Sequence, residues 1–174
     1  MKRVARCSIA VPGVVIGLVW AAPALAADPR IPLTAAPVDL PAGDYCNFAA
    51  RITFTDFNQY IIRSTTASDG TVTLRITGRA RATVMNLATG KSVSYNISGP
   101  GTLVLNPDGS FSGNLAGPNL LYTARPNLAN FPNVPTVSYT TGRVTFAVDP
   151  SGQTTSYSLA GGARQTDVCA VLAS

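Results

Sequence analysis

The chain has 174 residues, 46% of them hydrophobic and only 12% charged, with a formal net charge of +5. That is room for one ordinary domain with a core, and the composition argues against a disordered chain. All eight acidic residues are Asp, and there is neither Glu nor His. His-dependent triads, His-ligated zinc and His acid–base pairs are therefore excluded.

The first segment reads as an address. Lys2, Arg3 and Arg6 precede an apolar run from Ile9 to Trp20, and Ala24-Leu25-Ala26 follows. A basic start, a short apolar stretch and a small-x-small exit are the parts of a secretory signal peptide, with cleavage expected after Ala26. The run is short for a membrane span. Cleavage leaves residues 27–174 and removes three of the 13 basic residues and no Asp, so the net charge falls from +5 to +2. The high pI then gives no support for a nucleic-acid partner. Cys7 and the single Trp, Trp20, leave with the leader, and Cys46 and Cys169 remain. An even pair in an exported chain reads as one disulfide, tying the start of the domain to its end. The expected location is secreted, extracellular, with no membrane span after cleavage.

Residues 27–45 hold Pro29, Pro32, Pro37 and Pro41 and little periodicity. This Pro-rich lead-in is expected to be extended or loosely ordered. From residue 46 to the end the pattern is that of a single β-domain. Phe48, Ala50, Ile52 and Phe54 alternate with polar or small residues, as do Val72, Leu74 and Ile76, then Val93, Tyr95 and Ile97, then Val144, Phe146 and Val148. Strict alternation marks a strand with one buried face. Weaker strands are expected at 60–66, 81–87, 102–105, 110–116, 119–123, 154–159 and 166–172. Gly-containing turns at 68–70, 88–91, 106–109 and 149–152 separate the runs, supplying the positive φ of tight hairpins. No stretch has helical spacing, so almost no helix is expected. The fold class is all-β, an antiparallel meander closed into a β-barrel, with a two-sheet β-sandwich as the alternative.

One segment, 124–135, breaks this rhythm with three prolines and three asparagines, which exclude a central strand. With Leu128 and Phe131 inside it, and Tyr122 and Tyr139 at its flanks, it is either a binding loop or a plug of apolar groups over an open end. The plug is the simpler reading.

Few residues offer chemistry. Asp69, Asp108 and Asp149 occupy turns, where bonds to the backbone account for them. Asp56 and Asp167 are the carboxylates left over on or beside strands, and nothing in their spacing requires a catalytic pair. Ser and Thr are abundant but have no His as base, and Lys91 sits in a turn. No Asp-x-Asp-x-Asp run marks a calcium loop. No catalytic residue, cofactor or metal is assigned. Arg51, Arg63 and Arg75 are twelve apart, and Arg79 and Arg81 follow. With the first three set one to a strand on the polar face and Arg79 and Arg81 continuing the row, the five form a candidate anion face for phosphate, sulfate or uronic acid groups. The plainer reading is a solvated face that keeps the sheet soluble. Ala50, Ala80, Ala82 and Gly113 are small at inward positions. They either leave a pocket or offset Phe48, Phe54, Phe111 and Phe146 in a filled core.

Thr77-Gly78-Arg79, the run from Asn86 to Val93 through Gly90-Lys91, Gly142-Arg143-Val144-Thr145-Phe146 with Asp149, and the ending Asp167-Val168-Cys169-Ala170-Val171-Leu172 form a recognisable set. With the high Arg-to-Lys ratio, they resemble small secreted proteins of unknown function from high-GC Gram-positive bacteria (the actinobacterial type). The resemblance spans about Cys46 to the end, and the loop 124–135 is longer than its pattern. It implies export and carries over no catalytic residue. The leading expectation is a non-enzymatic extracellular binding module for a glycan, a cell-wall component or a small apolar ligand. The alternatives are a cofactor-free barrel enzyme such as an isomerase or cyclase, and a structural or inhibitory surface protein.

Overall fold

The computed structural model describes residues 30–174. The leader expected at 1–26, with Cys7 and Trp20, lies outside the described residues.

The lead-in is part of the sheet. β1 (Ile31–Pro32) and β2 (Val38–Leu40) both pair antiparallel with the free edge of β3 (Ala50–Thr66). Two short strands there, one carrying Pro32, cover an edge that would otherwise be open to pairing with another chain. β3 turns back at 67–71 onto β4 (Val72–Asn86), and the two form one long hairpin. The alternation read from sequence divides this hairpin into four shorter strands. In β3 the reason is a change of phase, whereas β4 keeps one phase and is interrupted in sequence only at Gly78. Ala50, Ile52 and Phe54 face inward, but register shifts between Thr55 and Asn58 and between Ile61 and Arg63 move the inward set to Gln59 and Ile61, and then return the phase to even positions at Ser64, an exposed residue paired with the buried Leu74. A β-bulge inserts one residue and flips every later side chain, so a single bent strand reads as two. Asp56 sits in the first bulge with φ 49°, a conformation that Asp tolerates better than most residues. Opposite, Gly78 has φ +136°, and a Cβ there would lie 2.2 Å from the Asn58 carbonyl oxygen. Only Gly fits the bend.

The two halves of the hairpin carry different neighbours. The half of β4 away from the turn pairs with β5 (Ser92–Asn96). The half near the turn pairs with β6 (Gly101–Leu105), which leads through β7 (Phe111–Leu115) and β10 (Val144–Val148) to β11 (Thr154–Leu159). These make a nine-stranded antiparallel sheet in the order β1-β3-β4-β6-β7-β10-β11, with β2 and β5 alongside β3 and β4. A second, three-stranded sheet has the order β12-β9-β8, from β8 (Asn119–Tyr122), β9 (Val137–Thr141) and β12 (Arg164–Asp167).

The fold is thus all-β and antiparallel. Among the described residues no pairing closes a ring, and the arrangement is sandwich-like. The larger sheet touches both faces of the smaller one. Tyr95 of β5 stacks on Tyr139 of β9 at 4.3 Å. From the other direction, the hydroxyl of Tyr157 on β11 accepts a 2.6 Å hydrogen bond from Gln165 of β12.

The last segment departs from its expected strand at 166–172. It is strand only to Asp167, and then α1 (Val168–Ala173) begins. Asp167 is the N-cap, its carboxylate accepting from Ala170 N at 3.1 Å, a bond that satisfies an otherwise orphaned helical donor. At the far end Lys91 Nζ donates to Val171 O at 2.8 Å and Ser174 O at 2.6 Å, which is how a basic side chain secures the last carbonyls of a helix. Val168 and Leu172 of α1 pack with Ile52, Ala82, Val84 and Val137 into one core, and Ile61, Leu74 and Leu103 centre a second. Cys46 and Cys169 form a disulfide, with Cα atoms 5.4 Å apart and a sequence separation of 123. No helix among the described residues is long and apolar enough to cross a membrane.

Candidate functional site: a cavity between the sheets

Where the two cores meet, the packing is incomplete. A cavity of about 210 Å³ lies between the sheets. One wall is the inner face of the large sheet, with Ile76, Gly101, Leu103, Leu115 and Phe146. The other is the edge strand β8 with its neighbour β9, through Asn119, Leu120, Leu121 and Ser138. Gly101, an inward position of β6 opposite Ile76 on one side and Leu115 on the other, makes room for the Leu115 side chain, because a Cβ there would lie 2.5 Å from Leu115 Cδ2.

The loop 124–135 closes one side. It opens with a 3-10 turn, Arg125–Leu128, which drives Leu128 inward to 4% exposure. Leu128, Val134 and Pro135 line the cavity. The loop is anchored at its base: Thr123 N donates to Thr136 O at 2.8 Å, Arg125 N to Asp44 O at 2.7 Å, and the Thr136 hydroxyl to Tyr45 O. Asp44 and Tyr45 adjoin Cys46, so the disulfide stands directly behind the loop.

The polar groups at the cavity are few. Ser138 is 1% exposed and Asn119 8%. Asn119 turns its amide nitrogen to the carbonyls of Ala116 and Gly117, both at 3.2 Å. Gln59 Nε2 donates to Ile97 O at 3.1 Å. Tyr157 has its pKa raised by burial, opposed by hydrogen bonds from Ser138 and Gln165. Tyr122 is pushed up to about 12, by burial first and then by neighbouring Tyr45. Both phenols stay protonated at neutral pH and act as neutral hydrogen-bonding groups. None of the lining residues is Asp, Lys or Arg.

The site residues expected from sequence fall into three places. Tyr122 and Leu128 line the cavity, whereas Phe131 lies half-buried outside the lining and Tyr139 is stacked on Tyr95. Ala50, Ala80 and Ala82 are fully packed in the core beside α1. Gly113 lies under the ring of Phe146. These four therefore offset large neighbours, and the space is elsewhere. Asp56 and Asp167 are exposed and away from the cavity.

The arginines are on the outer face, but not one to a strand. Arg51 and Arg63 share β3, and Arg75, Arg79 and Arg81 share β4. Arg51 is occupied by Asp39 in a two-pronged ion pair, at 2.6 and 2.9 Å. That hydrogen bond holds the Asp39 carboxyl below its ordinary range. Asp69, Asp108 and Asp149 accept bonds from residues of their own hairpin turns, as expected.

Gly101, Leu103, Leu115, Asn119, Ser138 and Tyr157 were not legible as site residues. Ser138 carries a faint signal, a hydroxyl inside the run Val137 to Thr141. Both faces of β9 are covered, however, so alternation there distinguishes nothing.

No protein-family model, curated protein or solved structure matches the chain.

Proposed function

We propose that the protein is an exported binding domain whose inter-sheet cavity holds a small neutral molecule, a single-ring or short-chain compound bearing one or two hydroxyl or carbonyl groups. The observation that carries this reading is a cavity of about 210 Å³ whose lining includes no charged side chain. A dry apolar cavity of about 150 Å³ accepts benzene, so the volume suits a ring with a substituent or two. An uncharged wall strongly disfavours an ion, because a buried charge needs a partner. Ser138, Gln59 and Tyr157 are placed to orient one polar end, the usual division of labour in a small-ligand site. With no carboxylate or amine at the cavity, the reading is one of binding rather than turnover. The disulfide supports a non-reducing compartment, which agrees with the leader pattern of residues 1–26.

The test is a thermal-shift and native mass-spectrometry titration with phenol, indole, cyclohexanol and, as a charged counterpart, benzoate. Binding of at least one neutral compound with a raised melting temperature is expected, and benzoate is expected to be inert. Leu121→Phe, which fills the cavity from β8, should abolish the shift while the apo protein stays folded. If no neutral compound binds, or if benzoate binds best, the reading fails.

A further inference from the structure

The outer face of the β3–β4 hairpin carries a charge pattern that the fold does not use. Arg63 and Arg75 are direct cross-strand partners. Like charges in that position repel and weaken the pair. On the same face of β4 stand Arg79, opposite Asn58, and Arg81, opposite Thr55. All four arginines are exposed, and among the described residues no ion pair involves them. At about 3.3 Å per residue, Arg75 to Arg81 spans roughly 20 Å.

Five of the seven acids among the described residues are spent elsewhere. Asp39 is held by Arg51. Asp69, Asp108 and Asp149 are folded onto their own turns, and Asp167 caps α1. Asp56, in the bulge beside Arg79 and Arg81, makes no ion pair. The side chains sharing the face are hydroxyls and amides: Thr55, Asn58, Thr77, Asn96 and Thr102. Its one aromatic ring near the arginines, Tyr60, donates its hydroxyl to Asn58 Oδ1.

We propose that this face docks an anionic polysaccharide. Guanidinium groups take up carboxylate or sulfate in paired, charge-assisted bonds. An anion between Arg63 and Arg75 would turn their repulsion into a bridge. The interleaved Thr and Asn side chains suit sugar hydroxyls. A single-stranded nucleic acid would instead want aromatic platforms for its bases, and this face has little to offer them. The proposal is independent of the cavity, which opens on the other side of the sheet.

The test is binding of the full chain to immobilised polygalacturonate at low salt, with neutral dextran and single-stranded oligo-dT as comparison ligands. Retention on polygalacturonate but not dextran is expected, falling as salt shortens the screening length. Arg63→Gln/Arg75→Gln should weaken it by about tenfold, in line with the loss of charge-assisted bonds. Arg79→Gln/Arg81→Gln should weaken it less, and Arg143→Gln, exposed beyond this face, not at all. The substitutions are at exposed sites, so melting temperatures should hold. Failure to bind polygalacturonate, equal loss with Arg143→Gln, or tighter binding of oligo-dT overturns the proposal.

Discussion

Gly113 of β7 lies directly beneath the ring of Phe146 on β10: a Cβ at residue 113 would sit 2.4 Å from Phe146 Cζ and 2.5 Å from Cε1. The two are cross-strand partners on the inner face, and Phe146 also lines the cavity. The missing side chain at 113 is what lets the ring lie flat against the sheet. Gly113→Ala should push the ring into the cavity and cost about 1–3 kcal/mol as overpacking. Gly161→Ala, whose Cβ would meet nothing within 4 Å, should change little. Paired thermal melts with a phenol titration check this. A Gly113→Ala protein with unaltered stability and unaltered binding would contradict it.

The bridge between Cys46 and Cys169 closes a loop of 123 residues. Constraining a loop of that length in the unfolded chain is worth about 5 kcal/mol on chain-entropy grounds. For a domain of this size that corresponds to roughly 10–20 °C in melting temperature. Cys46→Ser/Cys169→Ser should lose about that much. It should also loosen the loop 124–135 through Tyr45 and Thr136, so ligand binding should fall even where the variant remains folded. Alkylation of the native, unreduced protein should label neither thiol.

Burial holds Tyr122 neutral, moving its pKa from 10.0 to about 12. Below pH 10 the phenol is protonated in both folded and unfolded chains. Between 10 and 12 the unfolded chain ionises while the folded one keeps its proton, so stability falls as pH rises across that window. The drop reaches about 3 kcal/mol once both forms ionise, at 1.36 kcal/mol for each unit. Tyr122→Phe should flatten this alkaline limb. Denaturant melts between pH 9 and 12 measure it directly.

Thr140 Oγ1, on the same strand as Ser138, is buried with no hydrogen-bond partner. An unsatisfied buried hydroxyl costs about 1–3 kcal/mol. Thr140→Val keeps the shape and removes the polar atom, so it should be neutral or stabilising by about 1 kcal/mol. A destabilised variant would show that the hydroxyl has a partner in solution.

What the chain reveals of itself follows from which signals survive folding. Strands such as Val144–Val148 and the turns at Asp69, Asp108 and Asp149 were legible because alternation and Gly-Asp chemistry are local. So was the cysteine pair. The long hairpin was not, because bulges at 56–57 and near 62 shift the phase of β3 and make one strand look like two. α1 was hidden because Cys169-Ala170-Val171-Leu172 is too short for helical periodicity, and its only marker is the cap at Asp167. The cavity was least legible. It is lined by residues of distant strands, among them Leu115 of β7 and Ser138 of β9, a strand covered on both faces, and what brings these together is register between strands far apart in sequence. Leu128 in the loop and Tyr122 at its flank were found because a proline-rich break stands out against a meander.

The most direct measurement is methyl NMR of the protein labelled at Leu and Val, titrated with phenol. Binding between the sheets predicts shifts at Leu103, Leu115, Leu121, Leu128 and Val134, which line the cavity, while Leu40 and Leu172 in the core beside α1 stay fixed. Saturable shifts confined to the first group would bear out the account. Unchanged spectra, or shifts at Leu40 and Leu172 in place of the cavity methyls, would contradict it.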